Sequence, residues 1–158
     1  MPPKPLVYLA GAIEHAPDGG EGWRRALIPH LRDELSCDVY DPTADEAQWL
    51  TEEERANFRR WKTEDFSRFQ RAIRKVIAKD LSILERASLV VCLWDDHVRR
   101  GGGTHGEMTL AHVWGKPVHL VLGMPVAEVS SWILGCATEV HADFDSLRRR
   151  LAALRPGL

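Results

Sequence analysis

Short apolar runs alternate with amphipathic stretches along the whole chain. Leu6-Val-Tyr-Leu-Ala10, Cys37-Asp-Val-Tyr40, Leu89-Val-Val-Cys-Leu-Trp94, Pro117-Val-His-Leu-Val-Leu122 and Thr138-Glu-Val-His141 are short, rich in β-branched and aromatic residues, and read as strands. Between them the apolar positions recur at helical spacing. Trp23, Ala26, Leu27, Leu31 and Leu35 form one such stripe, and Phe66, Phe69, Ile73, Ile77 and Leu81 form another within a helix expected from Asp65 to Leu84. Further helices are predicted over 104–114, Val129 to Leu134 and Phe144 to Leu154. Thr51 ahead of Glu52-Glu-Glu54 has the look of an N-cap, and the polar stretch from Thr43 that leads to it reads as an inserted loop.

Strands that alternate with helices imply an α/β domain. The expectation is one domain over 1–158, a single-domain Rossmann-like (flavodoxin-like) fold with a mainly parallel five-stranded sheet flanked by helices. Ligands of such sheets bind at the carboxyl ends of the strands. Gly11, Asp41, Asp95 and the run Gly101-Gly102-Gly103 all fall there, so separate loops converge on one crevice.

Composition narrows the partners. With a formal net charge of -2 and basic residues spread along the chain, the positive field of a duplex-binding protein is missing, and no nucleic acid polymer is expected. The basic run Arg68, Arg71, Arg74, Lys75 and Lys79 reads as a solvated helix face. Cys37, Cys92 and Cys136 show no zinc-type spacing and read as reduced structural thiols, so neither metal nor cofactor is expected. No apolar stretch approaches the length that spans a bilayer, which together with the absence of a leader-like segment predicts a cytoplasmic protein without a membrane partner.

The chemistry concentrates behind the triple glycine. Glu107 lies just inside a helix that opens from Gly101-Gly102-Gly103-Thr104, where free N–H groups favour an electron-rich ligand. A carboxylate there acts as nucleophile, general base or acceptor for a sugar hydroxyl, or it simply complements the dipole of its own helix. Tyr8, Gly11, Trp23, Asp41, Asp80, Asp95, Asp96, Thr104 and His105 complete the residues that the topology brings towards this crevice. Acidic groups without a metal pattern suit glycosidic-bond chemistry, and aromatic rings suit a planar base. Trp23 and Trp132 are the candidate base platforms, while His105 reads as a solvent-facing helix residue.

Val7-Tyr-Leu-Ala-Gly-Ala-Ile13, Gly22-Trp-Arg24, Val39-Tyr-Asp-Pro42, Asp80-Leu81, Ala87 to Leu93, Gly103-Thr104 with Glu107, Ala111, Gly115-Lys-Pro-Val118 and Trp132 together resemble the nucleoside 2-deoxyribosyltransferase-like family. The resemblance runs over nearly the whole chain. It implies that Glu107 is a nucleophile forming a covalent 2-deoxyribosyl intermediate, that Asp80 stands in the active site, and that Tyr8 positions the nucleophile. It further implies that Asp95 or Asp96 handles the leaving base, that Gly11, Trp23, Asp41, Gly103, Thr104 and Trp132 bind substrate, and that the chain forms a homo-oligomer. The substrate implied is a small nucleoside or nucleotide, with a free base as second substrate.

The chain departs from that pattern at one position. Classical transferases carry an aspartate six residues before the glutamate, where Gly101 stands here. Arg99 and Arg100 beside the loop suit a 5′-phosphate, as in the related deoxynucleoside-monophosphate N-glycosidases. Gly102-Gly103-Thr104 with Glu107 also resembles part of the cytokinin-activating phosphoribohydrolase motif, which implies the same cleavage of an N-glycoside. The apolar face Phe66, Phe69, Ile73 and Ile77, with the Trp49–Trp61 segment, is a further reason to expect association.

Overall fold

The computed structural model describes residues 2–44 and 49–155; residues 45–48 of the expected polar loop lie outside it. Strands β1 (Leu6–Ala10), β2 (Asp38–Tyr40), β3 (Leu89–Trp94), β4 (Val118–Leu122) and β5 (Glu139–His141) form one sheet in the order β2-β1-β3-β4-β5, every pair parallel. Parallel strands need helical crossovers, and these cover both faces. Helices α1 (Glu21–Pro29), α2 (Glu52–Glu64), α3 (Phe66–Arg86), α4 (Gly103–Val113), α5 (Ser131–Cys136) and α6 (Phe144–Leu154) complete the chain.

The twofold period of each strand divides the core. Tyr8, Ala10, Val90, Cys92, Leu120 and Met108 pack on one face beneath α3 and α4. Val7, Leu9, Val91, Val121, Leu27 and Leu147 pack on the other beneath α1 and α6. All three cysteines are buried and free. Helix α1 starts earlier than its apolar stripe suggests and continues past Pro29 into a π turn at His30–Glu34. A proline inside a helix lacks the amide that would sustain regular i to i−4 bonding, and here it marks where the helix widens.

Helices α2 and α3 make a hairpin. Thr51 and Glu54 close a capping box on α2, and Asp65 accepts from Arg68 N to start α3. The pair has a small core of its own in Leu50, Phe58, Trp61 and Ala72, with Phe69, Ile73 and Val76 packed against it. Arg68 pairs with Glu53 at 2.8 Å and Lys75 with Glu54 at 2.7 Å across the hairpin. Phe58 and Trp61 are thereby covered within the chain, while Trp49, Phe66 and Ile77 of the surface expected to seek another subunit stay exposed. Lys79, expected on a solvated face, is instead buried beside Asp80 and against the Tyr40 ring, because α3 turns that side towards the sheet.

With 21 residues α3 is about 31 Å long, while the 6 residues of β3 span about 20 Å. The helix runs back to the start of β3, so about its first third projects beyond the carboxyl ends of the strands. There it forms a wall.

Candidate active site

Under that wall lies a cavity of about 550 Å³, within the range of small-molecule sites. Its apolar side is Phe69, Ile73, Val76 and Ile77 of α3 with Phe58 of α2, and Arg59 of α2 and His15 also line it. Its polar floor is Asp80, Gly11, Gly101–Gly103, Thr104 and Glu107. Gly11 has φ +155, and a Cβ there would meet the Trp23 ring at 3.2 Å, so the loop after β1 turns in a space that only glycine fits. The glycines at the start of α4 are different. A Cβ at Gly102, Gly103 or Gly106 meets no protein atom within 4 Å, so packing does not require glycine and the space beside them is open to a ligand.

Glu107 sits in the second turn of α4, half-buried, and accepts a hydrogen bond from the Tyr8 hydroxyl at 3.2 Å. Burial first, and the charge of Asp80 second, push its carboxyl up to about 8, against the opposing pull of the Tyr8 bond and Arg24. Burial and the same two acids push the Tyr8 phenol well above its ordinary value, so it remains a donor. Asp80 on α3 accepts from the Tyr40 hydroxyl at 2.6 Å and has Lys79 Nζ at 3.6 Å. Burial likewise pushes the Cys92 thiol up, which removes it as a nucleophile.

Arg24 holds the loops together. Fully buried, it donates to the carbonyls of Gly20 at 2.6 Å, Gly11 at 3.1 Å, and Leu9 and Ala12 at 3.4 Å, and its Nε stands 3.6 Å from Asp41. Asp41 also accepts from Thr43 N and Oγ1. Asp41 thus lies behind the cavity, tied to Arg24 and its own turn.

Asp95 and Trp23 line a smaller chamber of about 310 Å³ that shares Ala12 and His97 with the main one. Asp95 also accepts from His97 N at 3.0 Å. Trp23 stacks on Phe144 at 5.6 Å with the Arg24 guanidinium over its ring. Asp96 is exposed and pairs with Arg99, which also reaches Glu128 at 2.9 Å; neither residue lines a chamber. Trp132 is 67% exposed on α5, its Nε1 donating to Thr109 Oγ1 at 3.0 Å, away from both chambers. His105 is half-buried, edge-on to Trp94 at 4.9 Å. The sequence reading treats it as solvent-facing, but the short turn before α4 folds it back onto β3.

Sequence reasoning gave no site role to Tyr40 or Arg24, although both stand in the segments that carry the family resemblance. It also missed the one group of metal-type side chains among the described residues, His119, Glu139 and His141, which lies away from this cavity. No helix of the described residues is long and apolar enough to cross a membrane.

No protein-family model matches the chain, and no curated protein does. Solved structures do match its fold. A 2-deoxyribosyltransferase from the psychrotolerant bacterium Bacillus psychrosaccharolyticus superposes with a TM-score of 0.64 at 19% identity, covering 90% of each chain. A conserved protein from Enterococcus faecalis V583 does so at 0.66 and 13%, covering 96% of this chain and 99% of its own. A CMP N-glycosidase from Clostridium botulinum does so at 0.53 and 14%, covering 94% and 98%. The chain has the same parallel five-stranded fold as a deoxyribosyltransferase and a nucleotide N-glycosidase.

Proposed function

We propose that the protein cleaves or transfers the N-glycosidic bond of a 2′-deoxynucleoside through a deoxyribosyl ester on Glu107. The observation that carries this reading is the hydrogen bond from Tyr8 to the half-buried Glu107 beside Asp80, opening onto a glycine-lined cavity. Glu107 Oε attacks C1′, the bond from C1′ to the base nitrogen breaks, and the base leaves with a proton. Asp95, on the adjoining chamber, is the candidate donor of that proton. Tyr8 orients the nucleophile, and Asp80, held by Tyr40, faces the sugar. A second base, or water, then displaces Glu107 from C1′. The fold shared with a deoxyribosyltransferase and a CMP N-glycosidase supports the same bond as target.

A 5′-monophosphate substrate is a second reading, favoured by Arg59 and His15 on the cavity wall. One experiment addresses both. The protein is incubated with deoxynucleosides and their 5′-monophosphates, with and without a free acceptor base, and the products are identified. A new nucleoside marks transfer; free deoxyribose or its 5-phosphate marks hydrolysis. An intact substrate in every mixture overturns the proposal.

A further inference from the structure

His119 on β4 and Glu139 and His141 on β5 converge at the sheet edge opposite β2. One donor atom from each lies within 4.8 Å of the others. The register explains why. His119 is paired with Glu139, and His141 follows two residues later, so the pleat presents all of them on one face. That face is the one beneath α6, since Val121 of the same strand packs with Leu147 and Leu151. Tyr8 packs on the other face, and the cluster is therefore separate from the Glu107 cavity.

His119 Nδ1 stands 3.0 Å from His141 Nε2, with the rings nearly parallel at 5.3 Å. Two imidazole nitrogens bound to one tetrahedral zinc stand roughly 3.3 Å apart, so this separation also suits two ligands of one ion. Both imidazoles are buried, at 2% and 6% exposure, while Glu139 is partly exposed and leaves an approach from solvent. Arg150 of α6 donates to both oxygens of Glu139 at 2.8 to 3.0 Å. A carboxylate has about four acceptor sites, so Arg150 can hold it from outside while one lone pair faces the imidazoles, as ligating carboxylates are commonly held.

We propose that His119, Glu139 and His141 bind a divalent transition metal of the zinc type, with Arg150 orienting the carboxylate. The ion joins the three-residue edge strand β5 to β4 and stabilises that side of the sheet.

Protein stripped with a chelator and dialysed against Zn2+ alone is expected to take up one equivalent per chain and to gain several degrees in Tm. Co2+ in its place is expected to give the visible absorption of a four-coordinate site. His119→Gln and His141→Gln remove the uptake, Glu139→Gln weakens it at least tenfold, and Arg150→Met weakens it roughly ten- to a hundredfold. Wild-type protein that takes up neither Zn2+, Co2+ nor Ni2+ overturns the proposal, and so does uptake that survives in both histidine variants. Where circular dichroism shows a histidine variant to be unfolded, the partly exposed Glu139→Gln decides, and undiminished uptake there overturns the site. The readout is metal content and melting, independent of any glycosidic activity.

Discussion

Tyr8 and Tyr40 are register partners on adjacent parallel strands, their rings 5.1 Å apart, yet their hydroxyls go to different carboxylates. Tyr8 donates to Glu107 and Tyr40 to Asp80, so two acids from two helices are fixed against the same pair of strands. The Tyr8 bond lowers the Glu107 pKa and the Asp80 charge raises it. The acid limb of kcat/KM is expected near pH 8, with activity rising as Glu107 ionises. Tyr8→Phe moves that limb to higher pH and Asp80→Asn moves it to lower pH. Shifts in the same direction in both variants would contradict this arrangement.

Glu107→Gln is expected to lower turnover by roughly 10³-fold or more while leaving the fold intact. Intact-protein mass spectrometry of wild type with a slow-leaving deoxynucleoside should show one added 2-deoxyribosyl unit. A non-catalytic binding module would show no adduct and lose only about 1–3 kcal/mol of affinity.

The same residue shapes the pH dependence of stability. Its carboxyl is raised from 4.5 to about 8, so the folded state binds the extra proton. The stability this contributes is complete below about pH 4.5 and is lost as pH rises through about 8. Glu107→Gln has no such loss. Its Tm relative to wild type should therefore be higher at pH 9 than at pH 5; equal differences at both would show that burial does not perturb this group.

Gly103→Ala and Gly106→Ala separate folding from function. Neither new Cβ meets protein within 4 Å, and alanine in a helix is favoured by about 0.5–1 kcal/mol over glycine. Thermal unfolding should be unchanged or slightly raised, with KM increased because the methyl enters the ligand's space. A lowered Tm with unchanged KM would count against an open, ligand-facing loop.

Arg24→Leu is expected to cost about 3–5 kcal/mol in urea unfolding, because it strands Asp41 and four carbonyls. Arg24→Lys should rescue little, since an ammonium cannot reproduce the planar fork that reaches Gly11 and Gly20 together. Full recovery with lysine would mean that charge alone matters.

The strand pattern was readable in sequence because a buried parallel strand must be apolar on both faces. Leu6–Ala10 and Leu89–Trp94 are bounded in the structure where the runs begin and end. That Glu107 lines the cavity was readable too, from an acid behind glycines at a strand end. Tyr40 and Arg24 were not, since their roles depend on partners 40 residues ahead for one and on carbonyls of a preceding loop for the other. Nothing local distinguishes them from core residues. The placement of Asp96 and Trp132 away from the cavity was equally hidden, because it follows from the turn Asp96–Arg100 and the short helix α5 rather than from residue type.

The overhanging hairpin of α2 and α3 carries one more consequence. Phe69, Ile73 and Ile77 face the cavity from an element whose core is largely its own. Substitutions there can redraw which ligand the cavity admits without touching the strands that hold Tyr8 and Tyr40. Evolution, or an engineer, can thus exchange the selectivity of this cavity while leaving the Tyr8–Glu107 contact in place.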